Sequence, residues 1–145
     1  MGEDQTCNVT RSLKNLNIYS NFFYYLPIIV LLYNKRWVEA LLLFFTPIAS
    51  FIYHANKTNA SRIIDYVFSF VYLVVTVFIF AWSMKSDPGQ IELYIALLVA
   101  IAAFLFFFLH TGCEYLSDVY HVLWHVMGGF GSMCVAIAYV RNPFK

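Results

Sequence analysis

A chain of 145 residues that is 61% hydrophobic and only 12% charged carries more apolar surface than one small core can hide, because soluble domains average near half apolar and about a quarter charged. The excess must face lipid, and the length leaves room for a single domain without an appended soluble module. A formal net charge of +1 argues against nucleic acid as a partner, and the three cysteines, Cys7, Cys113 and Cys134, are too few and too scattered for a disulfide scaffold or a thiolate metal site.

A helix needs about 20 mostly apolar residues to cross the hydrocarbon of a bilayer. Five stretches qualify. Residues 18–33 are the first and weakest, with Asn21 and Pro27 inside it; the others are 37–53, 63–84, 91–109 and 116–140. The breaks between them are Asn34-Lys35-Arg36, a polar run over 54–62, residues 85–90 with an Asp87-Pro88-Gly89 turn, and residues 110–115. Such short breaks make successive helices antiparallel neighbours. Strands are implausible, because an open sheet in lipid would leave backbone groups unpaired. The sequence therefore predicts an all-α, polytopic transmembrane bundle of about five spans, filling residues 1–145 as one domain.

Orientation is read from the loops. Arg11, Lys14, Lys57 and Arg62 fall on the N-terminal side, and Lys35, Arg36, Lys85, Arg141 and Lys145 on the other, so the positive-inside rule decides little. The sequons Asn8-Val9-Thr10, Asn56-Lys57-Thr58 and Asn59-Ala60-Ser61 all lie on the N-terminal side, where use would require an extracytoplasmic location; the last two sit close to the membrane. Met1-Gly2-Glu3-Asp4-Gln5-Thr6 fits a myristoylation pattern that points the other way, but Glu3 and Asp4, with no basic cluster, weigh against it. The expectation is an extracytoplasmic N-terminus. The first 15 residues lack the apolar core of a cleavable signal, which leaves the first span as its own targeting signal. Cys7 and Cys113 share that side and could form a bridge or stay free thiols, since their separation in space is not readable from sequence.

Ionisable groups within spans are costly and so are functional candidates by default. Glu39 and Glu92 lie within a turn of the far side, where they could reach the interface, and Arg141 can snorkel there. His110 reads as interfacial. Ser50, His54, Asp65, Asp118, His121 and His125 remain. The second span ends on the N-terminal side with Ser50 and His54 in its last turns. The third begins there with Asp65 in its first turn, and the last begins there with His121 and His125. With a rise of 1.5 Å per residue, these groups fall roughly 5–15 Å below that surface. Ser50 and His54 are spaced i,i+4 on one face, and so are His121 and His125, a spacing that lets two imidazoles grip one metal. Three neutral imidazoles with an open fourth position form a catalytic zinc pattern. Asp65 and Ser50 could then bond a water or orient a ligand. Taken singly, each has a plainer reading: an HxxxH packing pair, a serine bonded to its own helix, an aspartate favoured at a helix start. Haem ligation by His54 and His121 and a proton or metal carrier are further readings.

Ser50-Phe51-Ile52-Tyr53-His54, then Asp65, then His121-Val122-Leu123-Trp124-His125 resemble the signature of the CREST superfamily, which includes alkaline ceramidases, adiponectin-receptor-like proteins and GPI-processing membrane hydrolases. Leu26-Pro27, Lys35-Arg36 followed by Glu39-Ala40, and Ser50, His54 and Ala55 resemble the branch containing myomaker and the GPI-acting phospholipase. The resemblance covers roughly residues 20–70 and 105–140. It implies a zinc centre with His54, His121 and His125 as ligands, Asp65 and Ser50 as catalytic residues, and a membrane lipid as substrate, cleaved at an acyl ester or, second, an amide. The alternative it implies is a non-enzymatic, zinc-stabilised membrane-remodelling or receptor-like protein. The family has seven spans, with three between the Asp helix and the HxxxH helix; this chain has one there. Parity is kept, but a cavity enclosing an acyl chain loses two walls, which a homo-oligomer could supply.

Overall fold

The computed structural model describes residues 11–108 and 114–141. Every regular element among them is helical: α1 (Arg11–Ser20), a 3-10 turn (Asn21–Tyr24), α2 (Tyr25–Tyr33), α3 (Trp37–Asn56), α4 (Asn59–Ser86), α5 (Ile91–Phe108) and α6 (Glu114–Arg141). The all-α expectation holds. Four stretches, Leu16–Tyr33, Trp37–Asn56, Asn59–Ser86 and Asp118–Arg141, are long and apolar enough to cross a membrane, and α5 adds a shorter apolar stretch, Ile91–Phe106. Cys7, Cys113, His110, the Asn8 sequon and the myristoylation pattern lie outside the described residues. Cys134 is a buried free thiol in α6.

The first span is one rod in three pieces, and Pro27 accounts for the change of winding. Proline has no N–H to offer the carbonyl four residues earlier, so the Phe23 oxygen lacks its usual helical donor. The backbone there is wound as a short 3-10 segment. A Cβ built on Gly129 of α6 would sit 2.5 Å from that same Phe23 oxygen. Gly129 is thus the point where α6 meets the first span backbone to backbone.

The polar run over 54–62 is shorter as a loop than the sequence predicts. α3 continues to Asn56 and stops at Lys57, whose φ of 49° is left-handed. Thr58 then caps α4: its Oγ1 accepts the Ser61 N–H at 3.1 Å, while Ser61 Oγ accepts the Thr58 N–H at 3.1 Å. These residues are polar because they close one helix and open the next. One consequence is that Asp65 lies in the second turn of α4 rather than its first. Another is that Asn56 ends α3 and Asn59 begins α4, with Asn59 Oδ1 accepting a bond from Arg62 Nη2 at 3.1 Å.

α6 is the hub. It touches α1, the 3-10 turn, α2, α4 and α5, while α3 packs on α2 and α4. α4 and α5 are joined by a tight turn yet barely meet, because α5 lies along α6. Lipid tails are as apolar as leucine, so helices associate by close packing, which small residues allow, rather than by hydrophobicity itself. Ala40, Ala49, Ala96, Ala103, Ala136 and Ala138 are all buried, whereas Tyr33, Val38, Leu98 and Phe108 point outward. On the side opposite the N-terminus, Glu39 accepts bonds from Arg36 and, at 2.7 Å, from the Tyr139 hydroxyl. The Arg36 guanidinium stands 4.6 Å from the Tyr139 ring centre, and Glu92 pairs with Arg141. Both acids are therefore tied to α6 by partners rather than simply reaching the interface.

Gly129→Ala should cost about 1–3 kcal/mol, the usual penalty for inserting a methyl into a filled contact. Gly131→Ala should be milder, because its new Cβ would meet the Val99 side chain at 3.4 Å and the Ala96 carbonyl at 3.6 Å, both ordinary contacts. Thermal unfolding in detergent reads both, and equal melting points for the two variants would contradict the backbone contact.

Candidate metal centre

α3 delivers Ser50 and His54 from its last turns, and α6 delivers Asp118, His121 and His125 from its first turns. His125 is 2% exposed, while His54 and His121 are half-buried. The three rings lie 4.4, 4.8 and 5.4 Å apart by centroid, each steeply inclined to the others at 66–71°. The Nε2 atoms of His54 and His121 are 3.1 Å apart, and one donor nitrogen from each of the three histidines lies within 4.8 Å of the others. Zinc–nitrogen bonds of about 2.0–2.1 Å place the nitrogens of a tetrahedral site about 3.3 Å from one another. The His54–His121 edge already matches, and the third nitrogen lies within 4.8 Å of both. The same 3.1 Å contact also fits one N–H···N bond between neutral imidazoles. His125 distinguishes this site from such a pair, because a third imidazole converges on it.

The donor set is therefore close enough to hold a metal ion, as its spacing in sequence predicts. Asp65 and Ser50 form a second group. Both are buried, at 7% and 3% exposure, and the hydroxyls of Ser50 and Ser69 lie close enough to act on the Asp65 carboxylate. Asp65 Oδ1 nevertheless has no hydrogen-bond partner among the described residues. A buried carboxylate oxygen without a donor is costly, and a water or ligand proton would satisfy it. The Tyr24 ring stands edge-on to His125 at 5.4 Å.

Asp118 is held by Asn17 Nδ2 at 2.7 Å, and Ser20 Oγ lies 2.8 Å from His125 Nδ1. The sequence reading included Asp118 among the polar residues without giving it a task, and it missed Asn17 and Ser20. Their signal was present: Asn17, Ser20 and Asn21 are spaced i, i+3, i+4 and so share one face of the first span. Within an apolar span, polar residues read more easily as weakness than as a contact surface.

Comparison of the chain with protein-family models, with curated proteins and with solved structures finds no significant match. The site rests on its own geometry.

Purified protein should bind about one equivalent of a divalent metal per chain, the stoichiometry of a single four-coordinate site. His121→Ala and His125→Ala should each abolish it while His110→Ala leaves it intact, as measured by elemental analysis after gentle purification and again after titration. Wild-type protein that holds no metal and regains none would rule the centre out.

Proposed function

We propose that the chain is an integral membrane zinc hydrolase that cleaves an acyl ester of a membrane lipid, with an amide as the second choice of bond. The observation that carries this reading is the convergence of His54, His121 and His125, one turn along α3 from Ser50, which lies with Asp65 in a second buried group. An all-imidazole set without thiolates suits zinc among the common metals, and the N-terminal side, taken as extracytoplasmic, would carry the site. Bound zinc would acidify water and polarise a carbonyl.

The remaining work falls to the chain. The Asp65 carboxylate would take a proton through its unpartnered Oδ1 and return it to the leaving group, the general base becoming the general acid. Ser50, beside Asp65, would donate a hydrogen bond to the oxygen on which negative charge develops. Tyr24 and Tyr72, packed edge to face at 5.1 Å, would keep bulk water from the inner side. The divergence of α4 from α5 supports lateral entry, since a lipid need not leave the bilayer to approach between them.

A second reading is a zinc-stabilised remodelling or receptor-like protein. It is favoured by one observation: the carboxylate on the α6 face that carries His121 and His125 is Asp118, tied to Asn17, not Asp65. Asp65→Asn separates the two. The amide keeps the shape but cannot accept a proton, so zinc should remain while fatty-acid release from mixed ester and amide lipids falls roughly 10²–10⁴-fold. Ser50→Ala should cost less. No release by wild type across that lipid panel, or full activity of Asp65→Asn, would sink the hydrolase mechanism and leave the non-enzymatic reading.

A further inference from the structure

Ser20 belongs to the first span, outside the residues that mark the metal site in the sequence, yet it touches a ligand directly. Its hydroxyl lies 2.8 Å from His125 Nδ1 and 2.9 Å from the carbonyl oxygen of Asn17. A serine hydroxyl owns one proton, and a carbonyl can only accept. Both contacts are hydrogen bonds only when that proton goes to Asn17 and the contact with His125 runs the other way, from Nδ1–H to Oγ. A neutral imidazole has one N–H, so Nε2 is left with its lone pair. Ser20 is 4% exposed and His125 is 2% exposed, which leaves little room for water to offer Nδ1 another partner.

The surroundings hold this arrangement in place. Asn21 Nδ2 donates to the same Asn17 carbonyl at 3.0 Å, and Asn17 Nδ2 donates to Asp118 at 2.7 Å. On α6, Asp118, His121 and His125 are spaced i, i+3, i+7 and share a face. The polar face of α1 thus meets the polar face of α6 at two points, one on each side of His121.

We infer that Ser20 is a positioning residue for the metal: it fixes His125 as the Nδ1–H tautomer and directs Nε2 to the point shared with His54 and His121, while the Asn17 carbonyl sets the direction of the serine hydroxyl. This rests on the metal reading of the histidine cluster, although it does not depend on whether the site is catalytic. Outer hydrogen bonds of this kind set ligand tautomer and orientation, and losing one typically weakens metal binding 10–100-fold.

The test is zinc affinity by competition with a chelator of known strength, measured on wild type, Ser20→Ala and Ser20→Thr, with the melting point of each metal-free protein recorded alongside. Ser20→Ala should bind zinc 10–100-fold more weakly at an unchanged metal-free melting point, and Ser20→Thr, which keeps the hydroxyl, should recover most of the affinity. A second measurement needs no variant: nitrogen-15 histidine spectra of the metal-loaded wild type should show His125 protonated at Nδ1 and ligating through Nε2. Equal affinity of wild type and Ser20→Ala, no recovery in Ser20→Thr, or ligation through Nδ1 would each overturn the role of Ser20 while leaving the metal centre standing. Wild type that binds no zinc would instead overturn the metal reading beneath it.

Discussion

Lipid gives apolar helices little reason to prefer one another, and that constraint shapes the molecule. The bundle coheres where backbones come close and where polar groups find partners, and both conditions are met along α6. Near its middle, Gly129 lies against the Phe23 carbonyl, to which Pro27 has no N–H to offer. At its end, Tyr139 and Arg141 engage Glu39 and Glu92. At its beginning, Asp118 and His125 engage Asn17 and Ser20. A helix held at three levels against the first span and its neighbours presents His121 and His125 in a fixed direction, and α3 needs only to bring His54 to meet them.

The two ends use this scaffold differently. On the side away from the N-terminus, Arg36 is matched to Glu39 and Arg141 to Glu92, with Tyr139 bonded to Glu39. That end reads as structure. At the other end the polar groups are not fully matched. Three imidazoles converge, a buried carboxylate oxygen lacks a donor, and two hydroxyls stand beside it. Buried polar groups in an apolar bundle are expensive, and three convergent imidazoles with a carboxylate oxygen open to a proton are what a binding site requires.

Much of this was legible in the sequence, because the signals were strong. Stretches of apolar residues near bilayer length mark the spans, and the i,i+4 spacing of His121 and His125 with the opposite direction of the His54 helix predicts their convergence. What the sequence hid has physical causes. The run around Lys57 and Thr58 looks like a loop because capping and looping use the same polar residues. The pairing of Glu39 with Tyr139 joins residues a hundred positions apart, with no local pattern to reveal it. Ser20 and Asn17 were obscured by their span, whose low hydropathy hid a polar face turned toward α6.

The central claim is that three imidazoles from two helices share one metal. X-ray absorption at the zinc edge of zinc-loaded protein tests it most directly. The account predicts three imidazole nitrogens and one oxygen at about 2.0–2.1 Å, with the outer scattering of histidine rings. A sulfur neighbour near 2.3 Å, a shell of oxygens alone, or fewer than three imidazoles would contradict it.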